Sequence, residues 1–418
     1  MNIAILTAGS RGDVQPYVAL GVGLKQAGHV VRLPAPEVFR DLITKAGLDF
    51  VPTYSFSPQD FIKRPDIQEA ARRGNQFKVL GILLKEAGPM MESMLSEFWG
   101  ACHGTDLVIT SGIFFTASEG AEKLGVPWLP ALLAPYHTTR EFPAPFLSGG
   151  PTFGAGYNRL THQLFEQMMW QAGRRAINLR RKNLGLRSYP FFGPYRHLRE
   201  QRIPFLFGFS PTVIPLPADW PNTHHITGYW FLDASPDWQP PATLVRFLEA
   251  GPPPVCIGFG SMDNEDPEKI THLAVDALKL SGQRGILLTG WAGASDVHLP
   301  DSLYRAEAVP HDWLFPRVSA VVHHGGAGTT AAGLRAGKPT IITPFGGDQV
   351  FWQKVVTQLG VGPLAPPFKR LTADALGRVI ATALDNPHMQ AQAAKIGARI
   401  RAENGIANAV NAIHHYVQ

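Results

Sequence analysis

The stretch His323-His-Gly-Gly-Ala-Gly-Thr-Thr330 follows an apolar run, Val318-Ser-Ala-Val-Val322, and decides the fold. The apolar run reads as a strand whose C-terminal end turns through glycines onto a helix N-terminus. Unpaired N–H groups in that first helical turn, together with the positive end of the helix dipole, make such a point an anion site. A second apolar run, Pro339-Thr-Ile-Ile-Thr343, ends at Pro344 and delivers Asp348 and Gln349 a few residues on. A phosphate cradle followed by a carboxylate and an amide suits a ligand bearing both phosphate and hydroxyls. A nucleotide sugar fits that description.

The chain opens in the same way. Ile3–Ala8 is an apolar run ending in Gly9-Ser-Arg-Gly-Asp13, and a helical pattern continues to Gly28, which stands where a helix-terminating glycine belongs. Val30–Leu33, Leu107–Thr110 and Trp128–Leu133 read as further strands, with helices such as Ser118–Leu124 between them. Val255-Cys-Ile-Gly-Phe-Gly-Ser261 restarts the strand-and-glycine pattern. The strands Gly285–Thr289, Ala320–His323 and Thr340–Thr343 follow, and the chain from His388 is helical in pattern with a break at Gly405. Strand and helix alternating at this spacing predict a parallel α/β sheet in each half. The segment Ser210–Pro241 is dense in proline and tryptophan and reads as a stiff, surface-hugging connection. The predicted architecture is two Rossmann-like domains, 1–210 and 242–418, joined by a linker at 211–241. Their parallel sheets face an interdomain cleft, and the final helix packs back on the first domain.

A chain of 418 residues exceeds one ordinary core, in keeping with two domains. A hydrophobic content of 45% with 17% charged residues excludes a largely disordered chain. No apolar run approaches the ~20 residues of a spanning helix, and Met1–Ala8 lacks the basic start of a signal peptide. Cys102 and Cys256 lie far apart without CxxC spacing, so a reduced, cytoplasmic protein is expected. The net charge of +5 is mild, and Arg72-Arg73, Arg174-Arg175 and Arg180-Arg181-Lys182 read first as solvated helix faces. Peripheral contact with anionic lipid is the next reading; no binding module accompanies the charges to suggest nucleic acid. Apolar residues between Phe77 and Trp99 recur near helical spacing, as in a core-facing helix or one wall of an apolar acceptor pocket.

Asp13 stands at the C-terminal edge of the first strand, where ligands of open α/β sheets bind. It reads either as a helix N-cap or as a general base, since transfer of a glycosyl group to an alcohol requires a carboxylate to take the hydroxyl proton. Gly326-Ala-Gly-Thr-Thr-Ala331 also matches a relaxed dinucleotide pattern, with Asp348 downstream. It comes late in its domain, however, and Pro344-Phe-Gly-Gly347 intervenes before the acid. His323 and His324 point to opposite faces of an extended strand and lack nearby cysteines, so no metal site is expected. One of the two facing a diphosphate as a cation would stabilise a departing nucleoside diphosphate.

At these residues the chain resembles glycosyltransferase family 1, the inverting GT-B enzymes, and looks most like sterol 3-β-glucosyltransferases, with a more distant likeness to vancomycin-group antibiotic glycosyltransferases. Gly9–Tyr17, Thr227–Trp230, Ile257–Met262, Val309–Leu314 and His323–Trp352 carry the resemblance. It implies that Asp13 deprotonates the acceptor, with Ser10 and Arg11 near the donor. It also implies that His324, Ala327, Gly328 and Thr329, with Ser261, hold the diphosphate. Val309 and His311 would lie beside the nucleotide base, with Trp291 stacking on base or ribose, while Asp348 and Gln349 bind sugar hydroxyls. Ala308 and Ala332 stand where plant members carry a tryptophan and a ribose-binding glutamate, and Phe345-Gly-Gly347 lacks a second aromatic of the sterol pattern. The implied reaction is metal-independent, inverting transfer of a hexose, glucose from UDP-glucose or a sugar from a dTDP donor, to the hydroxyl of an apolar acceptor such as a sterol, with no further cofactor. The rivals are another lipid, polyketide or phenolic acceptor, a nucleotide-sugar epimerase, and a non-catalytic nucleotide-sugar sensor.

Overall fold

The computed structural model describes residues 1–53, 65–66, 69, 91–112, 118–150, 153–200, 203–260, 267–289 and 297–417. Two all-parallel sheets organise them. The first, of seven strands, comprises β1 (Asn2–Leu6), β2 (Val30–Pro36), β3 (Asp49–Thr53), β4 (Leu107–Ser111), β5 (Trp128–Leu132), β6 (Phe205–Phe207) and β7 (His224–Ile226), in the order β3-β2-β1-β4-β5-β6-β7. The second, of five, comprises β8 (Val255–Gly258), β9 (Gly285–Leu288), β10 (Leu303–Ala306), β11 (Ala320–His323) and β12 (Thr340–Ile342), in the order β10-β9-β8-β11-β12. Strand order reverses between β1 and β4 and again between β8 and β11. A crevice opens beyond the carboxyl ends of the strands at such a switch point. The Gly9 turn leaves β1 at the first, and the His323 turn leaves β11 at the second.

The central strands β1, β4, β5, β8 and β11 read as largely apolar runs because helices cover both faces. Ile3, Ala4 and Ile5 of β1 are fully buried, and each isoleucine contributes about 1.5–3 kcal/mol through its burial. An aspartate at Ile5 would place an unpaired charge in that core. Helix α1 (Arg11–Gln26) stops in a Schellman motif: the Gly28 N–H donates to the Lys25 carbonyl (2.9 Å), the His29 N–H donates to the Leu24 carbonyl (3.1 Å), and Gly28 has φ +88°. The other helices used below are α2 (Ala155–Asn183), α3 (Ala327–Ala336), α4 (Gln349–Gln358) and α5 (Gly405–Val417). The last of these lies on the first sheet's side, with Ala409, Val410 and Ile413 sharing a core with Leu20 and Leu24 of α1. The two helices approach so closely that a Cβ on Gly23 would fall 2.2 Å from Ile406 Cγ2.

The structure departs from the sequence expectation in two places. Strands β3, β6, β7 and β10 were not anticipated, being three to five residues long, with proline or polar residues within β3, β7 and β10. The Ser210–Pro241 segment does not merely hug the surface. It supplies β7 to the sheet edge and inserts Trp220 and Trp230, 6% and 3% exposed, into the core. Of the expected helix between Phe77 and Trp99, residues 91–99 are helical and bury Met94, Leu95 and Phe98; Phe77–Met90 lie outside the described residues.

Candidate functional site

At the first switch point the chain turns at Gly9, with φ +129°, and a Cβ there would lie 2.5 Å from Asp13 Oδ2. Ser10 is the N-cap of α1 and Asp13 is its third helical residue. The Ser10 N–H (2.8 Å) and Oγ–H (2.9 Å) both donate to Asp13 Oδ2. The N-cap reading of Asp13 is therefore corrected: Ser10 caps, and Asp13 reaches back to it from N3, as in a capping box. Among the described residues, Asp13 Oδ1 has no hydrogen-bond partner. Burial raises the Asp13 pKa, opposed by the two Ser10 hydrogen bonds, which favours a carboxylate that accepts protons readily. Arg11 is exposed, and its Nε donates to Gln15 Oε1 (2.8 Å).

At the second switch point the two histidines part company. His323 is 1% exposed and its Nδ1 accepts the Gly325 N–H at 2.9 Å, which leaves the proton on Nε2, buried and without a partner. Its pKa is pushed well below the ordinary value by burial, so it is a neutral core residue. His324 points the other way, its ring lying against Gly260 and Gly326, where an added Cβ would come within 2.8 Å of Cε1 and 2.6 Å of Nε2. Its Nδ1 is buried and unpartnered, and burial lowers its pKa to about 4. The expected cationic imidazole is thus neutral at physiological pH, because the pocket removes its hydration without supplying a carboxylate. It can still donate one N–H.

Helix α3 begins beside it, with Gly326 as N-cap. The first closing bond runs from the Thr330 N–H to the Gly326 carbonyl (2.9 Å), so the amides of Ala327, Gly328 and Thr329 have no partner within the helix. Gly328 is exposed, with nothing within 4 Å of the place a Cβ would take. The Thr330 hydroxyl donates back to the Gly326 carbonyl, and Thr329 is the outward hydroxyl.

Asp348 stands at the N-cap position of α4 without capping it, and its Oδ2 accepts from Trp352 Nε1–H (3.2 Å) and from the Tyr136 hydroxyl (3.3 Å). Burial raises its pKa, the bonds from Trp352 and Tyr136 oppose the rise, and the charge of Asp13 adds to it. Tyr136, from the half that carries Asp13, thus reaches the carboxylate of the other half. Gln349 does something else: its Oε1 accepts the Phe345 (2.7 Å) and Gly346 (3.3 Å) N–H groups, so its carbonyl shapes the turn that presents Asp348. The His311 ring stacks on Phe315 (centroids 4.3 Å apart), and its pKa is lowered to about 4 by burial, then by the charge of Arg11. Val309 is 8% exposed in the core around Leu314 and Phe315. Ser261 and Trp291 lie outside the described residues. Among the described residues no group of three His, Cys, Asp or Glu side chains could hold a metal ion.

Tyr136 is the residue that sequence reading missed. Its signal was positional, since it follows Pro135 just beyond the C-terminal end of β5, on the edge of the sheet that carries Asp13.

A family model of the glycosyltransferase family 28 N-terminal domain matches residues 3–140, and one of the erythromycin biosynthesis protein CIII-like C-terminal domain matches 286–414. The two matches fall on the two halves that carry Asp13 and His324. The chain is 37% identical to the sterol 3-beta-glucosyltransferase of Neosartorya fischeri over 99% of its own length and 29% of that protein. The corresponding protein of Debaryomyces hansenii is also 37% identical, over 100% of this chain and 27% of its own. The chain has the GT-B fold. The chain spans less than a third of the length of the curated relatives it matches. Among solved structures, the glycosyltransferase of kitacinnamycin covers 100% of this chain and 99% of its own at a TM-score of 0.73 and 18% identity. The calicheamicin glycosyltransferase covers 100% and 98% at a TM-score of 0.71 and 18% identity. A Streptomyces glycosyltransferase complexed with thymidine diphosphate covers 99% of each chain at a TM-score of 0.65 and 20% identity. These likenesses support the fold. Among the described residues, no helix is long and apolar enough to cross a membrane.

Proposed function

We propose that this protein is a glycosyltransferase that moves a hexose, glucose from UDP-glucose, to the hydroxyl of an apolar acceptor such as a sterol, with inversion at the anomeric carbon and without a metal ion. One observation carries the reading: a buried carboxylate, Asp13, and an open helix N-terminus, α3, leave the two sheets at their switch points, with Tyr136 of the first half hydrogen-bonded to Asp348 of the second. Residues 1–210 bind the acceptor and 242–418 the donor, joined through 211–241. Asp13 takes the proton of the acceptor hydroxyl as its oxygen bonds to the anomeric carbon. The bond from that carbon to the diphosphate oxygen breaks on the far side, and its electron pair leaves with UDP. The amides of Ala327, Gly328 and Thr329 and one N–H of neutral His324 meet the developing charge. Asp348 accepts sugar hydroxyls on Oδ1, while Gln349 holds the turn behind it. Ser10 and Arg11 border the donor, Ser261 assists the phosphates, and Val309, His311 and Trp291 border the base.

The test is mass spectrometry of an acceptor panel of sterols, hydroxylated lipids, polyketides and phenolics, each incubated with UDP-glucose, UDP-galactose or a dTDP-sugar in the presence of a chelator. A glucosylated sterol from UDP-glucose is expected. Conversion of the nucleotide sugar without acceptor would point to an epimerase, and binding without turnover to a sensor. Loss of turnover in chelator would end the metal-free mechanism.

A further inference from the structure

The 29-residue helix α2 turns an apolar stripe to solvent: Leu160, Leu164 and Met168, spaced four apart, are 50%, 54% and 55% exposed. Phe192 is 71% exposed and is held beside the stripe, because Gln167 Nε2 donates to its carbonyl (2.8 Å). Single exposed apolar residues are ordinary, but a contiguous set on one helix face marks a contact surface. Its charges indicate the partner. The helix carries Arg159, Arg174, Arg175, Arg180, Arg181 and Lys182 against a single acid, Glu166, which is paired with Arg199. Arg181 is buried and paired with Glu122, so it belongs to the fold. Arg175 and Lys182 are exposed, seven and fourteen residues beyond Met168 and so on nearly the same face. The Arg174 guanidinium lies over the Phe191 ring at 4.7 Å. A second copy would bring this basic face against itself, which costs affinity.

We propose that the exposed face of α2 docks this glycosyltransferase on an anionic phospholipid surface. Leu160, Leu164, Met168 and Phe192 enter the headgroup–acyl boundary, and Arg174, Arg175 and Lys182 meet the lipid phosphates. The surface leads to the catalytic cleft. Phe165 of α2 stacks on Phe146 (5.1 Å) and on Tyr136 (5.9 Å), and Tyr136 donates to Asp348. An apolar acceptor leaving the bilayer at α2 thus meets an aromatic path toward the donor side. This inference rests on the proposed apolar acceptor, and its test separates the two.

The full chain is sedimented with vesicles of phosphatidylcholine alone and of phosphatidylcholine containing phosphatidylglycerol, with no substrate present. Binding to the anionic vesicles at least about tenfold stronger than to neutral ones is expected, falling about tenfold or more in Leu164→Asp/Met168→Asp and again in Arg174→Glu/Arg175→Glu. Phe192→Ser, off the helix, provides a variant that leaves α2 unaltered and is expected to weaken binding as well. Equal binding to both vesicle types, full binding by the variants, or a dimer in light scattering that the aspartates dissolve would each overturn the proposal. Glucosylation of a detergent-dispersed sterol is read in parallel. Its absence in every form, with vesicle binding intact, would count against the proposed reaction and leave the docking surface standing.

Discussion

The Tyr136 hydroxyl, on the loop that follows β5 in the first sheet, donates at 3.3 Å to Oδ2 of Asp348, the residue before α4 beside the second sheet. One hydrogen bond thus links the acceptor half to the carboxylate assigned to the sugar. Because Trp352 Nε1–H donates to the same oxygen (3.2 Å), Oδ1 is left for a ligand. Removing the hydroxyl in Tyr136→Phe keeps the ring stacked on Phe146 but takes away one of the two hydrogen bonds to Asp348 Oδ2. Hydrogen bonds to charged groups contribute about 1.5–3 kcal/mol, so kcat/KM for the donor is expected to fall roughly tenfold to a hundredfold. Steady-state kinetics with varied UDP-glucose checks this, and an unchanged value would remove Tyr136 from the site.

Asp13→Asn preserves the shape of the carboxylate and its contact with Ser10 but cannot take a proton. Turnover is expected to drop by about 10²–10⁴, while UDP binding measured by calorimetry stays within a few-fold. Burial raises the wild-type pKa above the ordinary aspartate value of 3.8, so the acid limb of the kcat/KM profile should lie above that value. Activity falls as pH decreases through it, because the protonated carboxyl is no longer a base.

Gly328→Ala distinguishes a fold glycine from a ligand glycine. Nothing crowds the position, so the variant should be as stable as the parent or more stable by about 0.5–1 kcal/mol. The methyl group would stand among the amides assigned to the diphosphate, so UDP affinity is expected to fall about tenfold or more. Thermal melting read beside calorimetric UDP binding shows whether the two effects separate.

Gly23→Ala should destabilise the fold by about 1–3 kcal/mol, because its Cβ would overlap Ile406 Cγ2 on the final helix. Combining it with Ile406→Ala relieves the clash, and a denaturant double-mutant cycle is the measurement. Additive losses would mean that the two helices do not press on each other there.

Acid should unfold this protein early. His224, 5% exposed among Phe205, Trp220 and His137, leaves both ring nitrogens unpartnered, and burial lowers its pKa from 6.5 to about 4. A depressed folded-state pKa means that its contribution is present above pH 6.5 and is lost as pH falls from there toward about 4. The loss reaches as much as about 3 kcal/mol, at 1.36 kcal/mol per unit. His224→Phe should flatten the dependence of Tm on pH between those limits; an unaltered slope would assign the acid sensitivity to other groups.

Much of the molecule was legible in the chain because the determining signals are local. Runs such as Ile3–Ala8 and Val318–Val322, each followed by glycine, specify strand, turn and helix within a dozen residues. Gly9 and Gly326 are fixed by atoms only a few positions away. Two parallel sheets, the switch-point turns and the anion-ready start of α3 followed from that local grammar. Short strands such as β7 (His224–Ile226) did not, because three residues take their conformation from a neighbouring strand's hydrogen bonds rather than from their own pattern. Tertiary structure alone decided which histidine is core and which faces the cleft, since burial and a backbone partner distinguish His323 from His324. It turned Gln349 onto its own loop, where nearby amides satisfy its carbonyl. It also brought Tyr136 to Asp348 across a sequence separation of 212 residues, a contact that exists only once both sheets are folded and docked.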